Sequence, residues 1–454
     1  MTPSAALYAQ HLETVQAAVE DALVAARTAG LGLRGVVFHS GGLRTFHADD
    51  IELPFRPTPH FARLAPVAGP GHALLVEPGR RPRLFLLAPR DYWCEPPARP
   101  AHPCWDALEV SVHAEPEALR AAIGPRPGWA YVGPDPAWAA GLELEAAAIE
   151  PMALLAPLDW HRAYKTDYEQ ACLREAARVA GLGHAAVRAG VAEGRSEREL
   201  HAAYLAATGL LDHETPYGNI IAWDEAGAVL HYQTKRATRP DPGRSFLIDA
   251  GGSSWGYASD VTRTWLRPDA QGVEAPGAWR ALVRGLYGLQ EELVQQVAPG
   301  ASFVELHAAA ERGIGALLRE AGLLRVSLDE ALERALVRPF FPHGLGHHLG
   351  LQVHDVGGRQ VTREGAQQPP PERWPHLRTT RPLEARQVVT IEPGVYMIPL
   401  LLEPHRARGE PGIDWDLVDA LLPCGGARVE DDVLVTAGGR ENLTRPHVPA
   451  SWEP

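Results

Sequence analysis

The sequence predicts two domains of mixed structure: a smaller α/β unit over residues 1–157 and a larger α+β domain over 158–454. Three observations carry this. A chain of 454 residues is long enough for two or three domains at roughly 100–200 residues each. Its first part interleaves helical and short β-like runs, as an α/β unit does. Its second part reads as strands, then long helices, then strands, which is the pattern of an α+β domain whose distant strands share one sheet.

Taken in order, the first 28 or so residues carry apolar positions at helical spacing, through Val15–Val19 and Ala22–Ala26. Short β-like runs follow at Gly35–His39, Ala73–Val76 and Leu84–Leu87, the last two joined through the turn-forming pair Pro78-Gly79. Trp129–Val132 adds another before Gly133-Pro134, and Pro151 and Pro157 punctuate the exit from this unit. A helix is expected from Thr166 to Ala189, with Thr166 as N-cap and Glu169 as its capping-box partner. Ser196 opens a second helix in the same way. Residues 220–266 look strand-like, two helical stretches cover 276–297 and 302–335, and strands return at 388–401 and 427–436. The proline run in Gln367–Pro371 reads as a surface loop.

Composition excludes several classes. With 43 Lys+Arg against 56 Asp+Glu the net charge is −13, and the basic residues include only two lysines, Lys165 and Lys235. Nothing there makes the basic footprint that nucleic acid or an anionic membrane requires. Cys94, Cys104, Cys172 and Cys424 are widely spaced, so free thiols are expected rather than disulfides or a thiolate zinc site. No basic start leads into an apolar run, and no apolar stretch nears about 18 residues. The expectation is a cytoplasmic protein.

The chemistry gathers in the second domain. Asp249 ends the apolar run Phe246–Ile248, and Asp260 follows 11 residues later across Gly251, Gly252 and Gly256, so a hairpin could bring both carboxylates to one point. Glu392 follows Val388-Val389-Thr390-Ile391, and Glu430 sits between Arg428 and the strand-like Val433–Val435. His343, His347, His348 and His354 crowd a glycine-rich stretch. Any one of these has a commonplace explanation, since Asp at a strand end usually caps a turn and Glu before Pro-Gly usually lies in a loop. Several buried acids in one domain must be neutralised, however, and two divalent ions sharing carboxylates do so economically. Four carboxylates with one imidazole suit Mn²⁺, with Co²⁺, Fe²⁺ or Zn²⁺ as alternatives. Neither a His-Glu-x-x-His helix nor an EF-hand loop is present.

The strings His343-Gly-Leu-Gly-His347, Val353-His354-Asp355-Val-Gly, Ile391-Glu392-Pro-Gly and Arg428-Val-Glu430-Asp431, with the Asp249/Asp260 pair, resemble the pita-bread metallopeptidases. That family includes methionine aminopeptidases, aminopeptidase P and prolidase. Leu230-His-Tyr232, Leu351-Gln-Val-His-Asp-Val-Gly-Gly and Leu377-Arg-Thr-Thr-Arg381 are most similar to the bacterial Xaa-Pro dipeptidases and the organophosphorus acid anhydrolases among them. The resemblance implies a C-terminal pita-bread domain behind a creatinase-type N-terminal domain. It implies Asp249, Asp260, His347, Glu392 and Glu430 as ligands of two divalent ions, with a bridging hydroxide as nucleophile. Glu392 would also shuttle the proton, His231 and His354 would steady the scissile carbonyl, and Arg428 would hold the acids together. Tyr217 would border the first residue, His343 the proline, and Arg381 would receive the C-terminal carboxylate. The implied substrate is a dipeptide ending in proline. The implied assembly is a homodimer, with Asp49 or Asp50 reaching the partner's site. Cleavage of longer Xaa-Pro peptides, phosphotriester hydrolysis, and a catalytically dead binding module are the alternatives; occupied ligand positions and the lack of basic tails weigh against the last.

Overall fold

The structure, a computed structural model, describes residues 3–90, 92–93, 99–241, 243–267 and 275–449. The chain forms two units, Met1–Cys172 with Gln360–Gln367, and Leu173–Arg359 with Gln368–Pro454. Among the described residues no helix is long and apolar enough to cross a membrane. Cys104, Cys172 and Cys424 are buried free thiols, and Cys94 lies outside the described residues.

In the first unit the opening helix spans Ala5–Thr28, its first turn capped by the Ser4 hydroxyl, and it buries Leu12, Val15, Val19 and Leu23. The expected strands assemble as one sheet in the order 109–113, 83–87, 73–76, 35–39, 129–132. Its inner pairings are antiparallel and both edge pairings parallel. Glu109–His113, the edge strand missing from the hydrophobic pattern, has no fully buried residue, so it carries no continuous apolar run. Met152–Ala163 is a single helix running through Pro157, where a break was expected. Proline forfeits one hydrogen bond there, a local cost that the burial of Leu154 and Leu158 offsets.

The second unit carries two antiparallel three-stranded sheets, 262–266/245–249/220–223 and 388–391/431–436/439–442. They do not merge into the single sheet expected. Among the described residues they meet at one bridge, Thr262 to Glu430. Helices Gly277–Gln295 and Phe303–Glu320 bring Leu282, Leu286, Ile314 and Leu318 into one core with Val389, Ile391 and Val433. The expected helix over 302–335 is two, Phe303–Glu320 and Leu328–Glu333, separated at Gly322, whose φ of 88° lies in the left-handed region. The strand expected to reach residue 401 stops earlier, and Pro399 starts the helix Pro399–Ala407, a position where its missing N–H is not needed.

Candidate metal centre

Asp249 closes the buried strand Ser245–Asp249, paired with Ile220 on one side and Thr262 on the other. The chain then turns through the short hairpin 253–254/257–258 and returns at Asp260. Gly251 makes the return tight: a Cβ there would lie 2.0 Å from the Ser259 carbonyl oxygen. Asp260 is held by its own N–H, which donates to both carboxylate oxygens of Asp432 at 3.2 and 3.1 Å.

Glu430 enters from the other sheet, across the same bridge. Its N–H donates to the Thr262 carbonyl at 3.1 Å, and the Thr262 hydroxyl donates to Glu430 Oε2 at 2.7 Å. Glu392 follows Val388–Ile391 and donates its N–H to Leu345 of the glycine-rich loop at 2.8 Å. That loop lies directly on the strand, because a Cβ on Gly346 would come within 2.0 Å of the Thr390 carbonyl oxygen. His347 is thereby fixed: its N–H donates to Thr390 Oγ1 at 3.1 Å and its Nδ1 faces the His348 carbonyl at 3.0 Å. Nε2 is left facing Asp260 Oδ2 at 3.4 Å and Glu392 Oε1 at 3.6 Å. Ligand atoms of Asp260, His347 and Glu430 lie within 4.8 Å of one another, while Asp249 and Glu392 adjoin this trio without belonging to it.

Arg428 answers part of the negative charge. It donates to Asp249 Oδ2, to Thr262 Oγ1 at 3.1 Å and to the Tyr396 hydroxyl at 2.8 Å. One guanidinium among four carboxylates, three buried and Glu392 partly so, leaves them short of cation. Burial, then repulsion from Asp260, Glu392 and Asp249, drives Glu430 well above the usual carboxylate range. Burial pushes Glu392 up to about 7 and Asp249 up to about 6, in the latter case against the pull of Arg428. Asp260 goes the other way: burial alone would raise it, but the His347 hydrogen bond and charge, the Tyr217 hydroxyl and Arg428 together bring it below its ordinary value. Asp249 Oδ1 is buried with no hydrogen-bond partner. An oxygen-rich, cation-poor cluster with an orphaned carboxylate oxygen and one oriented imidazole fits divalent metal ions.

The remaining expected residues ring this cluster unevenly. His343 contacts the Tyr396 hydroxyl at 2.9 Å and stands 3.7 Å from Glu392, and burial followed by Arg428 lowers it to about 3. It borders a cavity of about 390 Å³ that Phe341, Trp374, Leu377, Arg338 and Arg373 also line. His354 meets the His347 ring edge-on at 4.5 Å, and burial, then His347 and Arg378, lower it to about 4. His231 is exposed and close enough for its charge to reach His354. The Tyr217 hydroxyl is buried, and burial followed by Asp249, Asp260 and Glu430 raises it well above its ordinary value. Arg381 is buried and engaged with Glu384 and the Gly357 carbonyl. Arg378, in the same Leu-Arg-Thr-Thr-Arg string, is exposed beside His354; the string alone does not say which arginine faces outward. Tyr396, which links Arg428 to His343, escapes sequence reasoning because a tyrosine in a buried strand looks like core. In the first unit, Asp49 and Asp50 are exposed on a turn closed by the Thr45–Glu52 bridge.

Comparison with known proteins gives the family and the fold. Residues 171–437 match metallopeptidase family M24, and the chain belongs to that family. Residues 6–160 match the Xaa-Pro dipeptidase N-terminal domain. The Xaa-Pro dipeptidase of Aeromonas hydrophila is 40% identical over 98% of this chain and 99% of its own length. That of Pseudoalteromonas atlantica is 37% identical over the same shares. Among solved structures, Escherichia coli aminopeptidase P with the inhibitor Pro-Leu superposes with a TM-score of 0.73 at 21% identity, covering 100% of this chain and 98% of the other. The pita-bread fold with its N-terminal domain is therefore the fold of this chain.

Proposed function

We propose that this protein is a dinuclear-metal Xaa-Pro dipeptidase. The observation that carries the reading is the convergence of Asp260, His347 and Glu430, with Asp249 and Glu392 beside them, in a chain whose relatives of nearly equal length are Xaa-Pro dipeptidases. Those five residues would hold two ions, Mn²⁺ in the first instance and Co²⁺, Fe²⁺ or Zn²⁺ otherwise. When bound, the ions would supply an activated water and polarise the scissile carbonyl.

The chain's own residues do the rest. Arg428 fixes Asp249 and, through Tyr396, the His343 ring, so the ligand geometry is set before substrate arrives. His354, kept neutral, and His231 donate to the carbonyl oxygen as charge develops there. Glu392 carries the proton to the proline nitrogen. Tyr217 borders the first residue and His343 the proline ring. Arg381 or its exposed neighbour Arg378 takes the substrate carboxylate in a guanidinium fork. An Xaa-Pro bond has no N–H, so a site built on the carboxylate and the carbonyl loses nothing by proline. The protein acts in the cytoplasm as a homodimer, Asp49 or Asp50 of one protomer closing the site of its partner.

Hydrolysis of Ala-Pro, Ala-Ala and Ala-Pro-Ala is to be compared after chelation and after return of Mn²⁺. Metal-restored cleavage of Ala-Pro alone is expected. Equal rates on Ala-Ala, or no recovery with metal, would refute the reading, and preference for Ala-Pro-Ala would make the enzyme an aminopeptidase. Arg378→Ala and Arg381→Ala, assayed for KM on Ala-Pro, separate the two arginines.

A further inference from the structure

Behind the candidate ligands runs a second set of charged groups with no place in the chemistry above. Arg263 and Asp431 are 1% and 0% exposed and pair at 2.7 Å. Arg263 Nη1 donates to two main-chain carbonyls at 2.8 Å, those of Thr262 and Glu430. The other oxygen of Asp431 receives Arg445 Nε and Asn442 Nδ2, both at 2.7 Å. Arg445 Nη2 continues to Gln290 Oε1 at 2.8 Å, and Gln290, wholly buried on helix Gly277–Gln295, donates to the Ile391 carbonyl at 3.3 Å. The two ends of this chain of contacts terminate on the backbone at or next to a candidate ligand: on Glu430 itself at one end, and on Ile391, the residue before Glu392, at the other.

We propose that Arg263, Asp431, Arg445 and Gln290 form one positioning relay that sets the separation between Glu430 and Glu392, and so the spacing of the two metal ions. The proposal rests on the reading of those glutamates as ligands. Removing an Arg-Asp-Arg set from water is costly, and apolar side chains of similar volume would stabilise the fold at least as well. What apolar groups could not do is anchor specific carbonyls. Strand Val388–Ile391 already pairs with 431–436, at Ile391–Asp431, beside the bridge between the two sheets; the relay ties helix Gly277–Gln295 to both through side chains. Its acceptors are the peptides that carry the ligands, which is where a fraction of an ångström changes metal affinity.

Gln290→Met keeps volume and removes the amide, and Arg445→Met removes the link on the other side. Mn²⁺ uptake by the full chain is measured by calorimetry and elemental analysis, alongside thermal unfolding and kcat and KM on Ala-Pro. Both variants are expected to melt within a few degrees of wild type, to bind one ion normally and the other at least tenfold more weakly. kcat should fall while KM stays within about twofold, and Arg445→Lys should recover part of the loss. Isotherms superimposable on wild type would overturn the relay, as would a loss of stability with metal affinity intact in the folded protein. If Arg445→Met does not fold, Gln290→Met decides. Wild-type protein that takes up no metal would instead overturn the underlying reading of the site.

Discussion

Glu169→Gln tests the physical reasoning in the first unit quantitatively. Glu169 closes a capping box with Thr166, its carboxylate receiving the Thr166 N–H at 2.8 Å and the Thr166 hydroxyl receiving the Glu169 N–H at 3.3 Å. The same carboxylate accepts Arg63 Nε and Nη2, each at 3.1 Å, with both side chains almost wholly buried. Burial alone would raise its pKa, but Arg63, then His11 and Lys165, bring it from 4.5 down to about 2. At about 1.4 kcal/mol for each tenfold change in proton affinity, the drop from 4.5 to about 2 is worth roughly 3 kcal/mol of stability. The folded pKa lies below the unfolded one, so this stability is fully present above about pH 5 and is lost as pH falls toward 2. Glutamine cannot supply the charge. The difference between wild type and variant should therefore be about 3 kcal/mol at pH 6 and under half of that at pH 3. Urea unfolding read by pulsed hydrogen exchange in peptides from residues 5–28 reports on this unit alone. A difference that stays constant between pH 6 and pH 3, or a variant within about 0.5 kcal/mol of wild type at pH 6, would refute the account.

Three further outcomes are expected. Gly346→Ala puts a Cβ 2.0 Å from the Thr390 carbonyl, a backbone clash that must displace His347; calorimetry should show Mn²⁺ affinity at least tenfold weaker. Ser196→Ala removes the capping box that starts helix Glu197–Thr208 and should cost about 1 kcal/mol in urea unfolding. Chelation should lower the melting temperature of the second unit and added Mn²⁺ should raise it with concentration, each bound ion stabilising the fold by about 2.7 kcal/mol at a hundred times Kd; a melting curve indifferent to metal would contradict a cluster short of cation.

Local chemistry made much of this protein legible in one dimension. The Thr166/Glu169 and Ser196/Glu199 boxes are where the spacing put them, because a cap involves only residues three apart. The Asp249/Asp260 hairpin was equally readable, since the glycines that permit the turn lie between the two acids. The Pro157 helix and the half-exposed strand Glu109–His113 were not, because tertiary burial overrode the local signal in one and the apolar signal was absent in the other.

The sequence by itself determined the kinds of donor atom, their order along the chain and the class of ion they suit, since those depend on side-chain chemistry alone. Tertiary structure decided how they meet. One bridge between two separate sheets sets Glu430 against Thr262, and a glycine pressed on Thr390 aims His347. Which of Arg378 and Arg381 faces outward, and that Tyr396 and the relay from Arg263 to Gln290 stand behind the acids, depend on contacts between residues far apart in the chain. No local pattern records such contacts, because a buried tyrosine, arginine or glutamine gains its partner only when distant strands and a helix close around it.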